Sequence, residues 1–162
     1  MRYNAGEILE IAQQIERNGA RFYEGVAERS GGGREVVLLQ DLAAMERSHE
    51  RTFADMADEL PASARQEPFY DPNAEAGEYL RAVASGKVFD LRADPVEWLA
   101  GAVEFGRMLE KAITLEKDSI IFYLGIRDAV PGELGGARVE DIIREEMAHV
   151  VSLHGLLAPG RD

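Results

Sequence analysis

The chain has 162 residues, 46% of them hydrophobic and 30% charged, the make-up of one folded domain rather than a disordered segment. Its 30 acidic residues outnumber 18 basic ones for a formal charge of -12, a balance that repels phosphate backbones and anionic lipid and argues against nucleic-acid and membrane partners. No cysteine is present, which excludes disulfides, zinc–thiolate and rubredoxin-type iron centres, and thiol nucleophiles.

The first stretch, MRYNAGEILEIAQQIERNGARFYE, goes directly into an amphipathic pattern and lacks the apolar core of a signal peptide. No apolar run reaches the length of a membrane span, so a cytoplasmic protein is expected. From Gly6 to Arg29, residues Ile8, Ile11, Ile15, Phe22 and Val26 recur at the three- and four-residue steps of one helical face. SGGGR, Ser30 to Arg34, then reverses the chain. A second helix runs to about Leu60 with Leu42, Met45, His49, Phe53 and Met56 on its stripe, and Pro61 ends it. Between Pro61 and Asp94 the pattern is broken by Pro68, Pro72, Gly77 and Gly86, and only AEAGEYLRAVAS reads as a short helix. DPVEWL opens the third helix, with Asp94 as cap, Pro95 in the first turn and Glu97 facing the dipole, and that helix is expected to reach about Ala129. VPGELGG makes the next turn, and a fourth helix covers about Ala137 to Leu157.

Loop lengths decide the architecture. Two short turns give antiparallel hairpins over 6–60 and 95–157, while the 61–94 connection is long enough to travel the length of a bundle. The expectation is a single all-α domain over 1–162: a four-helix bundle of ferritin-like arrangement, with one long crossover between helices two and three.

The two halves repeat at an offset of 100 residues. EIAQQIERNGARFYEGV lies over EKAITLEKDSIIFYLGI, matching Glu16 with Glu116, Phe22-Tyr23 with Phe122-Tyr123 and Gly25 with Gly125. Further on, Asp41, Glu46 and His49 match Asp141, Glu146 and His149. Hairpins this alike should pack about a pseudo-twofold axis, so that one Glu and one Glu-x-x-His per half become two of each.

Each of those six residues continues an apolar stripe and so projects inward: Glu16, Glu46, His49, Glu116, Glu146 and His149. Four carboxylates in one core would repel one another and lose hydration at several kcal/mol per ion. No Lys or Arg shares these stripes to neutralise them. Two divalent cations would, each taking a terminal Glu and a His and sharing the other two Glu residues. Gly19 and Ser119, small residues beside the first- and third-helix carboxylates, leave room for metal, oxygen or water. Oxygen and imidazole donors suit iron above all, with manganese or zinc as alternatives, so two metal ions are the expected cofactor. No catalytic side chain is expected beyond these ligands. Tyr23 and Tyr123, two turns from Glu16 and Glu116 on the same faces, are candidates to orient them or are core aromatics only. Asp41 and Asp141 read as solvated or dipole-facing, His154 as a surface histidine, and Trp98 as packing near a helix start or at a subunit contact.

With these residues in view, the chain resembles the rubrerythrin-like branch of the ferritin-like di-iron superfamily. IERNGARFYE and AITLEKDSIIFY are close to its helix signatures, followed by MERSH and EEMAH. The resemblance spans nearly the whole chain and implies a carboxylate-bridged di-iron centre on Glu16, Glu46, His49, Glu116, Glu146 and His149. Two departures stand out. The chain has no cysteine from which the rubredoxin domain usual in that branch would be built, and Ser119 holds the position of an additional rubrerythrin Glu. The symmetric six-residue set is instead similar to the ferroxidase centre of bacterioferritin. The expected function is that of a di-iron redox protein, reducing peroxide or dioxygen or oxidising Fe(II), with a separate electron-donor protein and a homodimeric state. A ferroxidase or iron-storage subunit, or a non-enzymatic metal-binding module, is the alternative.

Overall fold

The computed structural model describes residues 3–66, 78–79, 82, 94–101, 103–127 and 135–157. Every regular element among them is helical: α1 (Ala5–Arg29), α2 (Arg34–Glu59), a short α3 (Ala62–Gln66), one 3-10 turn (Glu97–Ala100), α4 (Phe105–Arg127) and α5 (Gly136–Leu157). AEAGEYLRAVAS and VPGELGG fall largely outside the described residues, although Glu78, Tyr79 and Ala82 are helical. No described helix is long and apolar enough to cross a membrane.

The start of α1 is fixed by a reciprocal cap. Asn4 accepts from the Glu7 backbone N–H, and the Glu7 carboxylate accepts from the Asn4 N–H, both at 2.9 Å. The α1–α2 reversal uses Gly32 and Gly33 at φ 95 and 80, a region closed to most side chains. At the end of α2, the Leu60 N–H bonds the Ala57 carbonyl and Pro61 follows.

The third helix begins later than the sequence predicts. Asp94 Oδ1 does accept from the Val96 N–H at 2.9 Å, but only a single 3-10 turn follows, and its own N-cap, Val96, has no side-chain capping bond. Gly101 is extended, and the α-helical ladder starts at Phe105. The reason is tertiary. Leu99 is buried against α1, where a Cβ on Gly25 would come within 2.8 Å of it, and the Arg29 guanidinium takes the Leu99 carbonyl at 3.2 Å. That carbonyl, which a continuous helix would use internally, is bonded to α1 instead.

Two apolar clusters lie at opposite ends of the bundle. One gathers Leu9, Ala12, Phe53, Phe122, Ile126 and Val139; the other gathers Leu109, Ala112, Leu153, Phe22, Val26 and Leu39. Shifting each number by 100 converts one set into the other, with Phe53 and Val139 meeting Leu153 and Leu39. This is the pseudo-twofold axis in packing terms. The two halves of each long helix contribute to different clusters, and the six polar residues sit between them.

Candidate metal centre

Six polar or charged residues are buried among those described: Glu16, Glu46, His49, Glu116, Glu146 and His149, none more than 4% exposed. They are the six picked out above, and the structure brings them together. One oxygen or nitrogen from each of Glu16, Glu46, His49 and Glu146 lies within 4.8 Å of the others, and the same holds for Glu46, Glu116, Glu146 and His149. Glu46 and Glu146 belong to both groups and stand between two four-donor clusters.

The helices deliver this arrangement by direction as well as by period. The contacts of His49 with Glu146 and of His149 with Glu46 set α2 antiparallel to α5. The His49 and His149 rings stack at 5.7 Å between centroids and 19° between planes. His49 Nδ1 lies 3.4 Å from Glu16 Oε2 and 3.1 Å from Glu146 Oε1; His149 Nδ1 lies 3.1 Å from Glu46 Oε1 and 3.4 Å from Glu116 Oε1. These are short approaches without hydrogen-bond geometry. Glu16 Oε2, Glu46 Oε1, both Glu146 oxygens and both Nδ1 atoms are fully buried and have no hydrogen-bond partner among the described residues. Six orphaned donor atoms converging on one place are costly in a protein interior. They fit a pair of divalent cations.

Electrostatics agree. Burial, then the Glu146, Glu16 and Glu116 charges, holds Glu46 well above the usual carboxylate range. Burial and the Glu16 and Glu116 charges push Glu146 up to about 8. For the imidazoles burial acts downward, but contacts with Glu146 and Glu16 overcome it and raise His49 to about 11. Glu116 and Glu146 likewise raise His149 to about 9. Glu116 moves the other way: burial pushes it up, yet the His149 contact and its other partners leave it lowered. Without cations the cluster retains protons to limit its own repulsion.

The tyrosines act across the axis. Tyr23 donates to Glu116 Oε1 and Tyr123 donates to Glu16 Oε1, so each hydroxyl holds the carboxylate of the opposite hairpin and not the one two turns back on its own helix. This crossing also sets α1 antiparallel to α4, and with it α2 parallel to α4. Burial, then the neighbouring glutamates, raises both phenols well above their ordinary value, so they stay protonated donors.

Gly19 makes room for a ligand and not for an ion. A Cβ there would lie 2.7 Å from Glu46 Oε2. In Gly19→Ala, the better helix former should leave the metal-free fold as stable or firmer by up to about 1 kcal/mol. Glu46 must swing aside, however, and metal affinity should drop by about tenfold or more, an effect comparable to other losses of ligand positioning. Denaturant melts beside a metal titration would check both halves. Ser119, its counterpart, bonds the Leu115 carbonyl at 3.0 Å.

Ser119 also lines a cavity of about 270 Å³ with walls from Ile15, Phe22, Ala112, Leu115 and Trp98, which ends on Tyr23, Glu46 and Glu116. Trp98 is 41% exposed and packs on Phe22 at 6.1 Å. Asp41, Asp141 and His154 are exposed, as expected of solvated groups. Sequence reasoning missed Glu145, whose carboxylate reaches His49 Nε2 at 2.6 Å. The repeat conceals it, because the residue 100 positions earlier is Met45.

No family model matches the chain, and no curated protein does. Among solved structures it is similar to a Thermotoga maritima protein described provisionally as a ferritin-like diiron-carboxylate protein, with 25% identity, a TM-score of 0.71, and alignment over 97% of this chain and 96% of that one. The fold is a ferritin-like helical bundle. Together with the buried Glu and His cluster, the likeness supports the ferritin-like di-iron superfamily and does not single out the rubrerythrin-like branch.

Proposed function

We propose that this is a di-iron carboxylate redox protein that reduces peroxide or dioxygen, or oxidises Fe(II), with electrons from a separate donor. The observation that carries the reading is the set of six orphaned, buried donor atoms arranged as two clusters sharing Glu46 and Glu146. Glu16, Glu46 and His49 with Glu146 would hold one ion, and Glu116 and His149 with the same two shared carboxylates would hold the other. Oxygen and imidazole donors, with no thiolate in the chain, suit iron. Bound there, two irons would supply the electrons that an oxidant takes up.

The chain's own residues do the rest. Tyr123 holds Glu16 Oε1 and leaves Oε2 toward His49, while Tyr23 holds Glu116 Oε1, the oxygen that also approaches His149. Glu46 and Glu146 carry protons when no cation is present and give them up as cations enter. The apolar clusters on both sides keep bulk water from the donors, and the cavity offers a small oxidant a path to Glu116. Anaerobic loading with two equivalents of Fe(II), followed by peroxide, should give a fast change in the optical spectrum. Stoichiometric iron binding with no reaction toward either peroxide or dioxygen would reject the redox reading and leave a metal-binding module.

A further inference from the structure

The surroundings of the two histidines are not equivalent. Offsetting by 100 maps Glu16, Tyr23, Glu46 and His49 onto Glu116, Tyr123, Glu146 and His149, but it maps Met45 onto Glu145. His49 turns Nδ1 to the carboxylates, and its Nε2 lies 2.6 Å from Glu145 Oε2; a carboxylate can only accept, so Nε2 carries a proton and donates it in that bond. Glu145 reaches in from the solvent boundary, its side chain 51% exposed. His149 also turns Nδ1 inward, yet its Nε2 is buried without a hydrogen-bond partner among the described residues. A thioether in the position related to Glu145 can accept only weakly. The cavity adds a second difference at the terminal carboxylates: Glu116 lines it, together with the shared Glu46, and Glu16 does not, while neither histidine is among its lining residues.

A carboxylate on the far nitrogen of a ligating imidazole fixes its tautomer and ring orientation and strengthens it as a donor, and losing such a partner typically lowers metal affinity by about 10- to 100-fold. We propose that the two metal positions are unequal: the Glu16/His49 position fills first and tightly, with Glu145 as its positioning residue, and the cavity-facing Glu116/His149 position fills second and exchanges. The proposal rests on the di-metal reading above.

Anaerobic titration of the metal-free full chain with Co(II), followed by calorimetry and by the visible d–d absorption, tests it. Wild type should bind in two steps whose affinities differ by about 10- to 100-fold. Glu145→Ala should bring the first step down to the second and shift the absorption of the first equivalent. Glu145→Gln, which keeps an acceptor and loses the charge, should fall between. Met45→Glu should tighten the second step. Glu145→Gln, which keeps an acceptor for the buried His49 Nε2, is the folding control: its metal-free melt should stay close to wild type while its first binding step weakens, which separates positioning from folding. Two equal steps in wild type, or a separation that persists in Glu145→Ala, would overturn the proposal while leaving the di-metal reading intact. Failure of wild type to bind Co(II) at all would overturn both.

Discussion

Replacing Glu146 with alanine is expected to abolish paired cation binding and, with it, most of the heat resistance that metal confers. Glu146 is fully buried, both its oxygens lack hydrogen-bond partners among the described residues, and it belongs to both four-donor clusters. A ligand that binds only the folded state at 1,000 times its dissociation constant contributes about 4 kcal/mol. In a chain of this size each kcal/mol moves the melting temperature by roughly 2–4 °C, so one occupied position should raise it by about ten degrees. Wild type should show that gain with Mn(II) or anaerobic Fe(II), and Glu146→Ala should lose most of it. Without metal the difference should shrink, because there Glu146 holds its proton and the variant removes a buried carboxyl whose ionised form Glu16 and Glu116 oppose. A packing residue would destabilise both forms alike. Calorimetric melts with and without metal, alongside the metal-to-protein ratio, distinguish the two; a variant that still binds two ions with an undiminished melting gain contradicts the shared role of Glu146.

The metal-free and metal-loaded forms should also respond to pH in opposite directions. Glu146 rises from 4.5 to about 8 on folding, His149 from 6.5 to about 9 and His49 from 6.5 to about 11. All three are raised, so the folded metal-free chain binds more protons than the unfolded one. Their contribution is fully present below the unfolded values and is lost as pH rises through the folded ones, which places the decline between about pH 5 and 9 and beyond. Glu116, lowered, opposes this only in acid. When cations take the place of those protons the dependence inverts, since protons then compete with metal. Denaturant melts at pH 6, 7.5 and 9 should show the metal-free midpoint falling and the loaded midpoint rising. Parallel slopes would mean that the cluster exchanges no protons on loading.

Much of this could be read from residue spacing because a helix repeats its face every 3.6 residues. Ile15, Leu42, Ile113 and Ile142 announce which stripe is inward, and Glu16, Glu46, Glu116 and Glu146 lie on those stripes. Their convergence was therefore legible, as was the matching of the halves. Contacts between stripes were not. The tyrosine bonds span 93 and 107 residues and cross between hairpins, whereas spacing along one helix pairs each tyrosine with the wrong glutamate. The 3-10 turn before α4 depends on Leu99 meeting Gly25, a match that helix-start chemistry at Asp94 and Pro95 does not register. Glu145 occupies a mostly exposed slot, where acidic residues are common, and nothing in its own neighbourhood sets it apart from Glu140 or Asp141.

The interchange of the two apolar clusters carries one more consequence. Two separate copies of a single hairpin could rebuild nearly the same interior, but every change made in one copy would then be made in the other. Linking both into one polypeptide removes that obligation, and the halves differ at Met45 and Glu145 as they do at Gly19 and Ser119. Covalent continuity is what lets a near-symmetric scaffold hold two unlike neighbourhoods.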